Sequence, residues 1–205
     1  MVRANLRQHG WVLSAWFCAC MLVPAQPQPP PLQLTESGKI IFEGDSTPYL
    51  IRHLPVSSYP ELPVAIQDQL NRRGCLIPQT YQARRPENVV HASFERNGSS
   101  DWAVLCSVRG TVSLLVFFDG SSAPPAVLAT APETERLQVH DTTGVLGFNW
   151  GIDPASPEQI HEAQSSMEHR PPRPDHDALA DSVVDRRTVY HFYSKNAWTL
   201  VALED

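Results

Sequence analysis

The stretch DWAVLCSVRGTVSLLVFF, residues 101–118, decides the fold of this 205-residue chain. Asp101–Val108 and Thr111–Phe118 are each apolar on both faces, which is typical of strands buried in the middle of a sheet. The dipeptide Arg109-Gly110 between them can make a tight hairpin turn. The preceding segment Asn88–Arg96 alternates apolar and polar residues, as a half-buried strand does. The pattern therefore predicts an antiparallel meander of three strands.

The rest of the chain adds shorter elements on both sides of this meander. Further strands are expected at 39–42, 126–130, 137–140 and 145–151, with a terminal hairpin of Thr188–Ser194 and Trp198–Leu203. Helices are predicted at Glu61–Arg73, which Gly74 caps, at Ser156–Met167, which Ser156 and Pro157 begin, and over the short segment Asp177–Val184. The fold class is therefore α+β: an antiparallel sheet, built from a meander and a C-terminal hairpin, with two or three short helices.

The N-terminus has the three parts of an export signal. Arg3 and Arg7 precede an uncharged apolar run, and Val23 and Ala25 are the small residues that a signal peptidase needs, so cleavage is expected after Ala25. The run is too short for a typical membrane-spanning helix, and no stable membrane span is expected after cleavage. Two alternatives stay open, namely a lipid attached at Cys20 and an uncleaved membrane anchor.

The predicted domain organisation follows from this signal. Residues 1–25 are the signal peptide, residues 26–37 are a proline-rich linker that begins QPQPPP, and residues 38–205 are a single α+β domain. The signal holds two of the 16 basic residues and none of the 22 acidic ones, so its removal takes the formal charge from −6 to −8. An acidic domain without a basic stripe is not expected to bind nucleic acid. The expected compartment is the periplasm or the exterior of the cell.

The four cysteines separate into two groups. Cys18 and Cys20 lie within the signal, which leaves Cys75 and Cys106 in the domain. A pair of cysteines in an exported chain favours one disulfide over a reactive thiol or a metal pair, because no CxxC motif is present. The bridge would join the end of the first predicted helix to the central strand of the meander.

Motifs for catalysis and metal binding are weak. Phosphate-binding glycine loops and a GxSxG nucleophile elbow are absent from the sequence, so it predicts no cofactor and no catalytic residue. His91 and His140 are the histidines that could act as a general base. Asp175, Asp177 and Asp181 are the densest group of potential cation ligands, although their spacing also describes the solvated face of a helix. The EF-hand pattern fails over this segment.

Aromatic side chains offer a second kind of candidate site. Tyr190 and Trp198 fall on the predicted terminal hairpin, where they would form an exposed aromatic pair for a protein partner or a cell-envelope component.

Several short motifs resemble a group of exported bacterial proteins. The motifs are RRGCLIPQ (72–79), NVVHASF (88–94), DWAVLC (101–106), DHDAL (175–179) and the closing YHFYSKNAWTLVAL. The resemblance covers most of the chain from Leu54 onward. It implies a bacterial periplasmic or secreted setting and transfers no catalytic residue.

The sequence thus favours an exported, non-catalytic module that binds a protein or an envelope component. The rival hypothesis is a periplasmic hydrolase or metal-binding protein that uses His91, His140 or the Asp175–Asp177 cluster. The two hypotheses differ in whether these side chains meet in one pocket.

Overall fold

The fold is taken from a computed structural model, which describes residues 33–140, 142–201 and 203. The predicted signal peptide, its cleavage site at Ala25, Cys20 and Asp141 lie outside the described residues. Within them, strand β1 begins at Leu34, four residues before the expected start of the domain at Gly38. None of the helices in these ranges is long and apolar enough to cross a membrane.

Strands dominate the structure, which has two α-helices in its described part. In chain order the elements are β1 (Leu34–Phe42), β2 (Asp45–Pro55), α1 (Val64–Arg73), β3 (Leu76–Gln79), β4 (Val89–Ala92), β5 (Asp101–Val108), β6 (Thr111–Phe117), β7 (Ala126–Pro132), β8 (Leu137–Val139), β9 (Leu146–Phe148), β10 (Trp150–Ala155), α2 (Pro157–Ala163), β11 (Ala178–Val183), β12 (Arg187–Ser194) and β13 (Ala197–Leu200). The α+β class is confirmed, with more strands than the sequence predicted.

The strands form two sheets. Sheet 1 has the order β7-β6-β5-β3-β2-β9-β8, and in addition β1 pairs with β2 and β4 pairs with β5. Sheet 2 has the order β10-β11-β12-β13. All of these pairings are antiparallel except the short parallel contact between β2 and β9. The chain passes from sheet 1 to sheet 2 at Asn149, which the sequence placed inside one continuous strand.

The predicted meander is confirmed as β4, β5 and β6. Strand β5 has the predicted bounds, and β6 ends one residue early, at Phe117. Arg109 and Gly110 have φ angles of 52° and 77°. Two consecutive residues with positive φ make the mirror-image turn whose twist matches that of the flanking strands. The terminal hairpin of β12 and β13 turns in the same way at Lys195 and Asn196, with φ angles of 51° and 59°.

Both faces of β5 are covered. Val104 and Cys106 pack beneath α1, whose Ile66 and Leu70 are fully buried. Alternate residues of the same strand, Ala103 and Leu105, face sheet 2 and pack in a second cluster with Trp150, Ile152 and Leu179 of that sheet. Helix α2 covers the far face of sheet 2 through Ile160. The order of layers is therefore α1, sheet 1, sheet 2 and α2.

Helix α1 ends as the sequence predicted. Gly74 adopts the left-handed conformation, with φ 70°, and its N–H bonds to carbonyls of the last turn. The helix begins at Val64 instead of Glu61, because Pro63 occupies the position before its first turn. Cys75 follows Gly74 at once, and its disulfide to Cys106 closes a separation of 31 residues with a Cα–Cα distance of 5.4 Å. The predicted disulfide is thus confirmed.

Helix α2 has the predicted start and an earlier end. The Ser156 hydroxyl accepts the N–H of Gln159, and the Gln159 side chain accepts the N–H of Ser156 in return. This reciprocal capping box, with Pro157 in the first turn, defines the helix start. The helix ends at Ala163 and not at Met167, because the weak helix formers Ser165 and Ser166 follow it.

The helix predicted at Asp177–Val184 is wrong, since this segment contains β11. The four-residue spacing of its aspartates suggested a helical face, but β11 pairs with β10 on one side and with β12 on the other. Tertiary pairing on both edges outweighs a weak local pattern. Strands β2 and β3 were not predicted either, because Pro48, Pro55 and Pro78 interrupt their sequences.

The disulfide gives the first testable prediction. Replacing Cys75 and Cys106 together by serine is expected to lower the free energy of unfolding by about 3–4 kcal/mol, because the unfolded chain loses a loop closure of 31 residues. Urea unfolding of the wild type and the double variant measures the difference. A change well below 1 kcal/mol would contradict the stapling role of the bridge.

Candidate functional site

A cleft of about 520 Å³ opens where the edge of β4 approaches the edge of β10. Most of the surface that lines it is polar, and no aromatic side chain is among the lining residues of the described chain. The lining residues are Thr80, Gln82, Arg85, Pro86, Glu87, Asn88, Val89, Val90, Gly151, Ile152, Asp153, Ser182 and Val184. The cleft therefore offers hydrogen-bonding groups more than apolar surface.

Asn88 forms the bridge at the base of this cleft. Its side-chain N–H₂ donates to the carbonyls of Pro78 and Trp150, at 2.7 and 3.2 Å, and its Oδ1 accepts the N–H of Ile152 at 3.1 Å. The residue is buried and has a φ of 67°. Asparagine tolerates this left-handed conformation better than most residues that carry a Cβ. One side chain therefore joins the start of β4 to β10.

The pairing of β4 with β5 leaves one edge of β4 open. The N–H of Leu105 donates to the carbonyl of Asn88, which fixes the alternation of hydrogen bonds along the pair. Val90 and Ala92 therefore direct their backbone groups to β5, whereas Val89 and His91 direct theirs away from it. No strand other than β5 pairs with β4 in the described part of the chain, so the outward groups of Val89 and His91 belong to an unpaired strand edge.

Strand β10 has the complementary arrangement. The N–H of Val184 donates to the carbonyl of Asn149, so alternate residues of β10, beginning with Trp150, direct their backbone groups away from β11. Asn88 already binds the carbonyl of Trp150 and the N–H of Ile152. The carbonyls of Ile152 and Pro154 remain on this edge. Two incompletely paired strand edges thus approach each other at the cleft.

The loop before β4 forms a fixed wall. The Arg52 guanidinium donates to the carbonyls of Thr80 and Ala83, at 2.7 and 3.0 Å. The Thr80 hydroxyl donates to the Glu87 carboxylate at 2.8 Å, and the Tyr59 hydroxyl donates to the Glu87 carbonyl at 2.6 Å. Because these bonds anchor both the backbone and the carboxylate, the wall is ordered without a ligand.

Asp153 is the most distinctive charge in the cleft. Partial burial raises the pKa of its carboxyl above the ordinary value, while the charge of Arg85 acts in the opposite direction and only partly offsets burial. The carboxylate has no hydrogen-bond donor among the described residues. Its capacity to accept hydrogen bonds is therefore open to a ligand that supplies N–H groups or a positive charge.

The two candidate histidines lie outside the lining of the cleft and apart from each other, although His91 is the next outward-facing residue of β4 after the lining residue Val89. His91 is exposed on β4, where its ring stacks on Trp102 with a centroid distance of 4.4 Å and its Nε2 bonds to Ser100 Oγ. His140 follows β8 at the far edge of sheet 1, where its ring stacks on Tyr81 at 4.7 Å. Neither side chain lines the cleft.

The candidate aspartates separate into different networks. Asp175 is exposed and contacts His176 Nδ1 at 2.7 Å. Asp177 accepts the backbone N–H of Ser93. Asp181 accepts the indole N–H of Trp150 at 2.6 Å and lies 3.2 Å from His191 Nε2. Among the described residues, the structure therefore does not place Asp175, Asp177 and Asp181 close enough together to bind one metal ion.

The predicted aromatic pair lies on opposite faces of sheet 2. Trp198 is directly opposite Tyr193 in the β12–β13 pairing, and it packs near Phe118 on the side of sheet 1. Tyr190 is three positions from Tyr193, so it faces the other way and packs in the cluster of α2. Both side chains are half-buried, so together they form no continuous exposed aromatic surface.

Two cleft residues were missed in the sequence. Asn88 was interpreted only as the first residue of an alternating strand, and Asp153 lay in a segment without a predicted element. The available signal was the asparagine itself, because asparagine is enriched several-fold among the non-glycine residues that adopt left-handed backbone. Nothing local to Asp153 marks it, because its partial burial arises from the meeting of two sheets.

The Asn88 bridge gives a second prediction. Asn88→Ala is expected to lower the free energy of unfolding by about 3 kcal/mol, because three backbone partners lose their bonds and alanine is strained at positive φ. Asn88→Gly loses the same bonds without the strain, so it should be about 1 kcal/mol less destabilising. Urea unfolding compares the three proteins. An equal loss of unfolding free energy in the two variants would contradict the contribution of backbone strain. Wild-type stability of Asn88→Ala would contradict the stabilising role of the Asn88 hydrogen bonds.

The raised pKa of Asp153 gives a third prediction. Since folding disfavours its charged form, ionised Asp153 lowers the free energy of unfolding at any pH above its folded-state pKa. Asp153→Asn should therefore be more stable than the wild type near pH 7, and the difference should disappear below about pH 3.9, where the carboxyl is protonated in both states. Urea unfolding at the two pH values measures this. An equal difference at both would exclude the ionisation as its cause.

Comparison of the chain with protein-family models, with curated proteins and with solved structures finds no match. The functional proposal consequently depends on the geometry of the cleft and on the sequence itself.

Proposed function

We propose that this protein is an exported, non-catalytic module that binds an extended peptide segment of a partner protein in the cleft beside β4. The observation that carries the proposal is the open edge of β4, where the backbone groups of Val89 point away from β5 at a polar cleft. An extended peptide satisfies such groups by adding main-chain hydrogen bonds to the edge strand. The pairs of donors and acceptors on this edge recur every second residue, which matches the repeat of a peptide.

The lining of the cleft favours a peptide with basic or N–H-rich character. Asp153 supplies an exposed carboxylate without a hydrogen-bond donor among the described residues, and Glu87 supplies a second carboxylate on the anchored wall. Arg85 is the cationic side chain among the lining residues. Donor groups on the ligand would satisfy both Asp153 and the outward carbonyls of β10. The anchored wall lowers the cost of binding, because little of the site must become ordered.

Export is the second part of the proposal. The segment of residues 1–25 has the pattern of a signal peptide, and the Cys75–Cys106 disulfide is a feature of oxidising compartments. The sequence motifs that resemble exported bacterial proteins agree with a periplasmic or secreted setting. The separate partners of His91, His140 and Asp175 leave the rival hydrolase without a shared catalytic pocket, so binding is the function proposed.

A matched pair of variants at one residue tests the proposal. His91→Pro removes the outward N–H of β4 and keeps the bonds to β5, since proline is tolerated where the N–H faces away from the sheet. His91→Ala removes the imidazole and keeps the N–H. Peptides are first selected from a displayed random library on the immobilised full chain, and their affinity for the three proteins is then measured by calorimetry.

The expected result is selection of peptides enriched in lysine and arginine, with binding to His91→Ala close to wild type. Binding to His91→Pro should be weaker by about tenfold, which corresponds to the loss of roughly one hydrogen bond. Circular dichroism and an intact disulfide verify that both variants fold. Equal affinity of the two variants, or a library selection that enriches no sequence, would refute the use of this edge.

A further inference from the structure

Three side chains that can act as metal ligands meet at a second site, outside the cleft. Glu36 comes from β1, His53 from β2, and Glu133 from the 3-10 turn Glu133–Glu135 that follows β7. One potential ligand atom of each lies within 4.8 Å of the other two. None of the three residues lines the cleft. Because the three residues are far apart along the chain, no motif of fixed spacing identifies the group in the sequence.

Two members of the group are almost fully buried. Glu133 is 2% exposed and His53 is 3% exposed. Glu133 Oε1 lies 2.7 Å from His53 Nε2, whereas Glu133 Oε2 is buried and has no hydrogen-bond partner. A buried carboxylate oxygen without a partner is energetically unfavourable. Such an atom therefore indicates an unmet ligand requirement in an otherwise well-packed region.

The surroundings support the ionised form of this carboxylate. Burial alone raises the pKa of Glu133, but the neighbouring side chains of His53 and Ser107 favour the charged form more strongly and hold the pKa below its ordinary value. Ser107 makes no hydrogen bond of normal geometry to Oε2. Glu133 thus offers a partly unsatisfied carboxylate next to an imidazole nitrogen.

Glu36 closes the group on its solvent side. Its carboxylate is exposed, and the Tyr49 hydroxyl donates to its Oε1 over 3.4 Å. The position of Glu36 gives a solvated entry to two buried ligands. Strand β1, which carries Glu36, pairs only with β2 among the described strands, so few other contacts fix this edge.

We propose that Glu36, His53 and Glu133 bind a divalent transition-metal ion, with Zn²⁺ the expected occupant. One imidazole nitrogen and two carboxylates are ligand types that zinc accepts, and three protein ligands leave a fourth position for water. Calcium and magnesium prefer all-oxygen sites, so the imidazole disfavours them. The metal would replace the hydrogen bond between His53 Nε2 and Glu133 Oε1, and it would give the unpartnered Oε2 a possible partner.

Metal binding would also attach the N-terminal end of β1 to the rest of the domain. The metal would join Glu36 at the exposed start of the β1–β2 hairpin to Glu133 beyond β7. A ligand that binds the folded state and not the unfolded one raises the free energy of unfolding. Zn²⁺ is therefore expected to raise the melting temperature and to protect the backbone amides of β1 from hydrogen exchange.

Calorimetric titration of the untagged full chain with Zn²⁺ tests the site. The decisive variant is Glu36→Gln, because Glu36 is exposed and its replacement leaves the buried pair intact. Its matched control is Glu135→Gln, an exposed glutamate on the same 3-10 turn. The expected result is one Zn²⁺ per chain, an affinity at least about tenfold weaker in Glu36→Gln, and no change in Glu135→Gln.

Substitution by Co²⁺ adds a spectroscopic readout. A site with His and carboxylate ligands should give visible absorption from the bound ion, and Glu36→Gln should alter this spectrum. Absence of Zn²⁺ binding at millimolar concentration would overturn the proposal. Equal Zn²⁺ affinity of Glu36→Gln and the wild type would overturn it as well, because binding would then belong to other surface histidines. Neither result depends on the peptide-binding proposal, whose variants lie on β4.

Discussion

Strand β5 buries side chains on both of its faces, and each face needs a separate apolar cover. Helix α1 covers one face through Ile66 and Leu70, and sheet 2 covers the other through Trp150 and Ile152. The second cover forces the chain to leave sheet 1 at Asn149 and to build a new sheet above it. The edges of β4 and β10 approach each other where the chain passes between the two sheets. The cleft is therefore a direct consequence of covering both faces of β5. The disulfide at Cys106 fastens α1 to the same strand.

The sequence was sufficient for those elements whose signals are local. The double-sided apolar run of β5, the Arg109-Gly110 turn, the Gly74 cap and the Ser156 capping box each depend on neighbouring residues, and the structure confirms them. Strands β2, β3 and β11 were not predicted because pairing with distant strands stabilises them against unfavourable local signals. Proline weakens the local strand signal of β2 and β3, and the four-residue spacing of aspartates in β11 is typical of a helix, whereas pairing with distant strands leaves no local signal.

The candidate sites were less predictable, because each depends on residues brought together from distant segments. His53 and Glu133 are 80 positions apart, and Asn88 bonds to Ile152 across 64 positions. The residues chosen from the sequence were conspicuous in type, and the structure assigns many of them to local support. Asp181, for example, accepts the indole N–H of Trp150 and lies 3.2 Å from His191 Nε2, so it links three neighbouring strands of sheet 2. The density of ionisable residues along the chain is therefore a poor predictor of a binding site, because long-range strand pairing decides which of these residues lie close together.

The central claim is that one edge of β4 stays free to bind. Amide hydrogen exchange of the ligand-free protein, resolved residue by residue by NMR, measures this most directly. We expect protection to alternate along the strand: the amides of Val90 and Ala92 are protected by β5, while those of Val89 and His91 exchange much faster. Similar protection of all four amides would show that the edge is already paired, and it would contradict the peptide-binding cleft.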